Sequence, residues 1–176
     1  MEQALVSIIA IAIILGGTVT LVSSAISPID SLTNSWKQMT QQSEEIARTD
    51  IDATDATVPA PYSGTRVEIT IRNEGKVSLC NYDSWDVIVQ YYSDNTSYSA
   101  EWLPYTTSLA DNNWTVSGIY FNGSSETFEP DILNPGEDMK LLMQLDPPVM
   151  TNSTNWATIS TANGVSTRVL FQRGET

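Results

Sequence analysis

The sequence predicts an α+β chain in which a long N-terminal apolar α-helix is followed by an immunoglobulin-like β-sandwich. Three observations predict it. From Gln3 to Ile29 no residue is charged, although the 176-residue chain carries 21 acidic and 8 basic side chains. Past Ile29, apolar residues recur at helical spacing as far as Ile46; from Arg66 onward they alternate in short runs. The boundaries that follow are an assembly or transmembrane-like helix over 1–48, a linker over 49–63 and an outer β-sandwich domain over 64–176.

The first element is apolar on every face. Between Ala4 and Ile26 the residues that are not Leu, Ile or Val are Ala, Gly, Ser or Thr. A helix apolar all round must be buried all round. At 1.5 Å per residue the uncharged run is about 40 Å long, more than the ~30 Å hydrocarbon core of a bilayer. The run alone predicts an anchor; its continuation predicts more. Ile29, Leu32, Trp36, Met39 and Ile46 follow a heptad seam with Ser43 as its polar interruption. Traced backwards, the seam passes through Ala25, Val22, Thr18, Leu15, Ile11, Ile8 and Ala4, with Leu5 beside it. These residues are expected to assemble a helical core with copies of the same chain.

Three positions qualify that helix. Gly16 and Gly17 allow close approach of helices and weaken local helicity, which fits either loose packing in lipid or a flex point. Pro28 removes one backbone hydrogen bond and predicts a bend. Thr18, Thr20, Ser23 and Ser24 can return their hydroxyls to the preceding turn, so they do not forbid burial. No Lys or Arg precedes the run, and it exceeds the 7 to 15 residues of a signal core, so cleavage after Ser23-Ser24-Ala25 is not expected. One economical explanation of the missing flank is a short basic leader already removed, and Met1 is then expected to be the first mature residue.

Residues 49–63 are rich in Asp, Thr, Ala and Pro and lack periodicity, hence the linker. Asp50, Asp52 and Asp55 lack the glycine and closing glutamate of a calcium loop and read as a solvated turn. From Arg66 the strand candidates are Val67–Ile71, Trp85–Tyr91, Tyr98–Leu103, Trp114–Phe121, Glu126–Phe128, Met139–Leu145, Trp156–Ser160 and Ser166–Gln172. Asn163-Gly164 suits a tight hairpin, and Asn73-Glu74-Gly75 and Asn134-Pro135-Gly136-Glu137 mark other turns. About eight short strands in this length favour a sandwich. Trp85, Trp102, Trp114 and Trp156 are expected to fill its core or to line contacts between subunits, core packing being the safer assignment, and Cys80 is expected as a small buried residue. Asn95, Asn113, Asn122 and Asn152 each begin an N-x-Ser/Thr triplet, so N-linked glycans on an exported surface are expected there.

Composition excludes several functions. A net charge of −13 without clustered Lys or Arg excludes nucleic acid as a partner. There is no His and one Cys, so Cys/His metal sites, Ser-His-Asp and Cys-His catalysis are excluded, and no phosphate-binding loop is present. No cofactor, metal or enzymatic activity is expected.

With these features the chain resembles an archaellin, the subunit of the archaeal-type flagellum, within the type IV pilin-like superfamily. The resemblance rests on the apolar start from Ala4 to Ile26, the helical continuation to about Arg48, and two stretches of the β domain, Val67–Gly75 and Ile132–Glu137. Type IV pilins usually carry glutamate at the fifth mature position, where this chain has Leu5. Glu2 is out of register, which favours archaellin over bacterial pilin. The resemblance implies a leader cut by a prepilin-type peptidase, insertion in the cell membrane before assembly, and an ATP-driven assembly machine. It also implies a homo-polymer, an extracellular helical filament serving motility. An adhesive type IV-like pilus subunit and an anchored minor or stator-like component are the alternatives.

Overall fold

A computed structural model describes residues 2–125 and 128–175, with the side chains of residues 2, 5 and 16–30 outside the description. The chain divides into two compact units, Met1–Glu44 and Glu45–Thr176. In the first, α1 (Glu2–Arg48) runs as a continuous helix that extends four residues into the second. Hydroxyls are returned one turn back as expected of this residue class: Ser7 Oγ donates to the Gln3 carbonyl at 2.9 Å, Ser35 Oγ to Ser31 at 3.0 Å and Thr40 Oγ1 to Trp36 at 2.9 Å. Among the residues whose side chains are described, no helix is long and apolar enough to cross a membrane.

The second unit is two antiparallel sheets. Its strands are β1 (Ile51–Thr57), β2 (Arg66–Asn73), β3 (Asp86–Tyr92), β4 (Tyr98–Leu103), β5 (Asn113–Phe121), β6 (Ser124–Ser125), β7 (Asp138–Gln144), β8 (Thr154–Ser160) and β9 (Ser166–Gln172). One sheet has the order β1-β2-β7-β5-β6 and the other β4-β3-β8-β9. That is a Greek-key order, with β3, β8 and β9 facing β1, β2, β7 and β5 and β4 added at an edge. The helical turns inside the unit are two three-residue 3-10 turns, Ala60–Tyr62 and Tyr82–Ser84.

The core explains the class. β2 buries Val67, Ile69 and Ile71, β7 buries Met139, Leu141 and Met143, and from the other sheet come Val87, Val89, Tyr91, Ala157 and Ile159. Among the described residues, none of α1 belongs to this cluster. The expected α+β class with a long apolar N-terminal helix is corrected on this ground: what carries the hydrophobic core is an all-β sandwich.

The expected linker is corrected too, because residues 51–57 form an edge strand on β2. A bulge between Ala53 and Asp55 shifts the register, so the inward residues are Ile51, Ala53 and Ala56, and period-two alternation never shows in the sequence. Glu126 and Thr127 of the expected strand Glu126–Phe128 lie outside the described residues, and the short strand there is Ser124–Ser125. The β8–β9 hairpin closes with three residues instead of two: Thr161 N–H donates to the Val165 carbonyl at 2.9 Å, and Gly164 sits at φ +87°.

Candidate assembly surfaces

The residues expected to assemble the helices sort into two groups. Ala4, Ile8, Ile11, Leu15, Leu32, Trp36 and Met39 are exposed, Trp36 at 69%. The side chains of Leu5, Thr18, Val22, Ala25 and Ile29, like Gly16, Gly17 and Pro28, lie outside the described residues. Within each described stretch the spacing is three or four residues: Ala4, Ile8, Ile11 and Leu15, then Leu32, Trp36 and Met39. Such residues share one face of a helix. An apolar strip of this kind in water calls for a cover.

The sequons differ in what their side chains already do. Asn113 is corrected as a glycan site: it is 9% exposed, and its Oδ1 accepts from Ala110 N–H at 2.8 Å. Asn95, Asn122 and Asn152 are exposed, the last two at positive φ in turns. Cys80 is exposed, not buried; it stands between the Leu79–Leu133 bridge and Asn81 at φ +55°, where Leu79 and Tyr82 take the inward positions. It borders a cavity of about 220 Å³ lined also by Val77, Trp85 and Asn163.

The two motifs that carried the archaellin resemblance meet in space. Asn73, fully buried at the end of β2, donates through Nδ2 to the carbonyls of Val77 and Leu133, each at 2.9 Å, and accepts from Gly75 N–H at 3.0 Å. Its backbone N–H donates to Glu137 O and its carbonyl accepts from Gly136 N–H. The same turn receives the chain from α1: Lys76 N–H donates to Arg48 O at 2.8 Å, and the N–H groups of Glu74 and Gly75 both donate to Asp50 O at 3.0 Å. A Cβ on Gly75 would sit 2.6 Å from Asp50 N and 2.7 Å from Arg48 O, so glycine is required for that approach.

The tryptophans divide. Trp85 and Trp114 are in the core, Trp114 beside Tyr105 with ring centroids 4.9 Å apart, while Trp156 is half-buried. Trp102 is corrected from core to surface, 57% exposed on β4 with its indole N–H donating to Asp86 Oδ1 at 2.9 Å. Around it Ile88, Tyr92, Tyr98 and Leu170 are also exposed, all on the outward side of the β4-β3-β8-β9 sheet. Sequence reasoning offered a surface contact only as the second choice for Trp102 and did not assemble this face. The signal was there, since β3 reads Val-Ile-Val-Gln-Tyr-Tyr with large residues at both parities, but parity does not say which side is inward.

Three solved structures share this architecture. They are the archaellum periplasmic stator protein FlaG from Sulfolobus acidocaldarius (20% identity, TM-score 0.51, 70% of this chain and 99% of that one) and its complex with FlaF (19%, 0.50, 69% and 87%). The third is archaeal flagellin FlaB1 from Methanocaldococcus jannaschii (13%, TM-score 0.55, 73% and 91%). This fold is that of archaellum proteins. Identities this low establish the fold alone. No protein-family model and no curated protein matches the chain.

Proposed function

We propose that this chain is a structural, non-enzymatic component of an archaellum, a filament subunit that polymerises through α1 and displays its β-sandwich outside the cell. The observation that carries the reading is the exposed strip of Ile8, Ile11, Leu15, Leu32, Trp36 and Met39 on a chain whose other unit has an archaellum fold. Each Leu, Ile or Val buried from water contributes about 1.5–3 kcal/mol, so a strip shared between copies holds subunits firmly once formed. Lipid is as apolar as a helix core, so transfer out of a membrane gains only packing differences, and an ATP-driven machine is the natural partner for assembly. A prepilin-type peptidase preparing the N-terminus and glycans at Asn95, Asn122 and Asn152 complete the reading.

The likeness to FlaG over nearly all of that chain's length favours one second reading, a stator-like component of the archaellum envelope. Electron microscopy of purified material separates the two: helical filaments are expected, and discrete particles would sink the subunit reading. The substitution Ile11→Asp is expected to abolish filaments while leaving the circular dichroism of the β-sandwich unchanged. Normal filaments from that variant would show that the strip does not assemble them.

A further inference from the structure

We infer that the outward face of the β4-β3-β8-β9 sheet is a contact surface between two copies of this chain, packed sheet on sheet. The register lays the face out in rows. Trp102, Ile88, Thr158 and Arg168 lie side by side across the four strands, and the next row is Ala100, Gln90, Trp156 and Leu170. Trp102 is 57% exposed, Leu170 62% and Ile88 42%, and Tyr92 and Tyr98 extend the patch along β3 and β4. It stands on core strands, so it is a fixed surface and not a loop.

The occupant follows from charge, polarity and shape. The chain carries −13, and copies repel one another over most of their surface. On this face the outward-pointing strand residues include one acid, Asp86, and one base, Arg168, so the face is neutral. Its indole N–H groups are engaged: Trp102 Nε1 donates to Asp86, Trp156 Nε1 donates to Gln90 Oε1, and the Arg168 guanidinium lies 4.6 Å over the Trp156 ring. The large side chains Trp102, Ile88 and Leu170 offer mainly carbon, which suits an apolar partner better than a sugar. Tyr92 and Tyr98 meet at 58° instead of lying flat as a stacking platform would require.

Shape selects a second copy. A two-fold axis in the plane of contact, parallel to the strands, places β4 over the partner's β9 and β3 over the partner's β8. Leu170 then meets Ala100, Trp102 meets Arg168, Ile88 meets Thr158 and Trp156 meets Gln90, each large group opposite a smaller one or a cation. Two sheets meeting in this way pack aligned and about 10 Å apart. With strands about 4.8 Å apart and about 3.3 Å per residue, the face covers about 450 Å². That is at the low end for an interface, where about 800 Å² a side is standard. The contact is therefore weak for a free pair and effective where copies are already held close.

The inference does not depend on which archaellum component the chain is. It is tested in the full chain with Cys80 replaced by Ser, carrying Ala100→Cys together with Leu170→Cys. Those positions lie three strands apart, about 14 Å, too far for a disulfide within one chain. Dibromobimane, a thiol cross-linker able to join two cysteines on sheets about 10 Å apart, is expected to give cross-linked dimers on a denaturing gel, at least about fivefold above a control pair, Thr57→Cys with Thr115→Cys, spanning the first sheet likewise. Adding Trp102→Asp, an exposed position that leaves the core intact, is expected to return the yield to the control level. Yields equal to the control, or unmoved by Trp102→Asp, overturn the inference. So does an oligosaccharide that quenches tryptophan fluorescence in a chain that gives no cross-link.

Discussion

The two sheets share one core and present opposite surfaces. Outside β2 and β7 the side chains are Arg66, Glu68, Thr70, Arg72, Asp138, Lys140, Leu142 and Gln144, with Arg72 paired to Asp138 at 3.6 Å and Lys140 lying 5.6 Å from the Tyr120 ring centre. Outside β3, β4 and β9 they are Ile88, Tyr92, Tyr98, Trp102 and Leu170. A sandwich needs apolar residues on the inner faces alone. On β2 and β7 the first sheet departs from that minimum at half-buried Leu142, whereas the second spends several large, exposed apolar residues on a surface its own fold leaves open. The difference teaches that the outer face of the second sheet answers to something other than folding.

Substitutions that respect this division should separate folding from surface. The largest effect is expected at Asn73, where β2 ends. Asn73→Ala removes three side-chain hydrogen bonds, after which Leu133 O keeps Leu79 N–H and Gly75 N–H keeps Asp50 O while Val77 O loses its Asn73 donor, and should lower stability by about 2 kcal/mol, read as a shift of the denaturant midpoint with unchanged slope. In the second sheet the matching inward group is Tyr91, whose hydroxyl donates to Pro147 O at 3.0 Å. Burial, helped by the nearby carboxylates of Glu101, Asp146 and Asp94, pushes its pKa up to about 12. An unfolded tyrosine ionises near 10, so the folded state falls behind as pH rises from about 10 to 12 and nothing is lost below that window. Buried Tyr82 is shifted in the same direction, again chiefly by burial, so Tyr91→Phe should reduce the alkaline loss of stability without removing it. Denaturation midpoints measured between pH 8 and pH 11.5 would check both statements. The smallest effect is expected at Arg72→Ala, which breaks a half-exposed ion pair and should change stability by less than about 0.5 kcal/mol, falling toward zero in high salt.

Legibility in the sequence followed burial contrast. β4 and β9 are found residue for residue, and β2, β3 and β7 begin or end within two positions of their expected limits, because Val67, Ile69 and Ile71 alternate with polar neighbours and Met139, Leu141 and Met143 keep the same period despite Leu142. β1 was invisible for the opposite reason: its inward residues past Ile51 are two alanines, put out of phase by the bulge. Trp102 and Cys80 were placed inside on residue type, and each is outside because of its position on an edge strand or in a turn. Of the candidate surfaces, the strip on α1 was legible as a seam. The sheet face was not, since only the paired register brings Trp102, Ile88 and Leu170 together.

The turn at residues 74–76 has a mechanical consequence. Three backbone hydrogen bonds, from Glu74, Gly75 and Lys76, grip the carbonyls of Arg48 and Asp50 where the chain leaves α1, and β1 then pairs with β2 over its whole length. The segment from Arg48 to Asp50 is thereby fixed to one turn of the sandwich at both of its ends. The joint therefore behaves as a rivet, and Gly75 is the residue that lets it close.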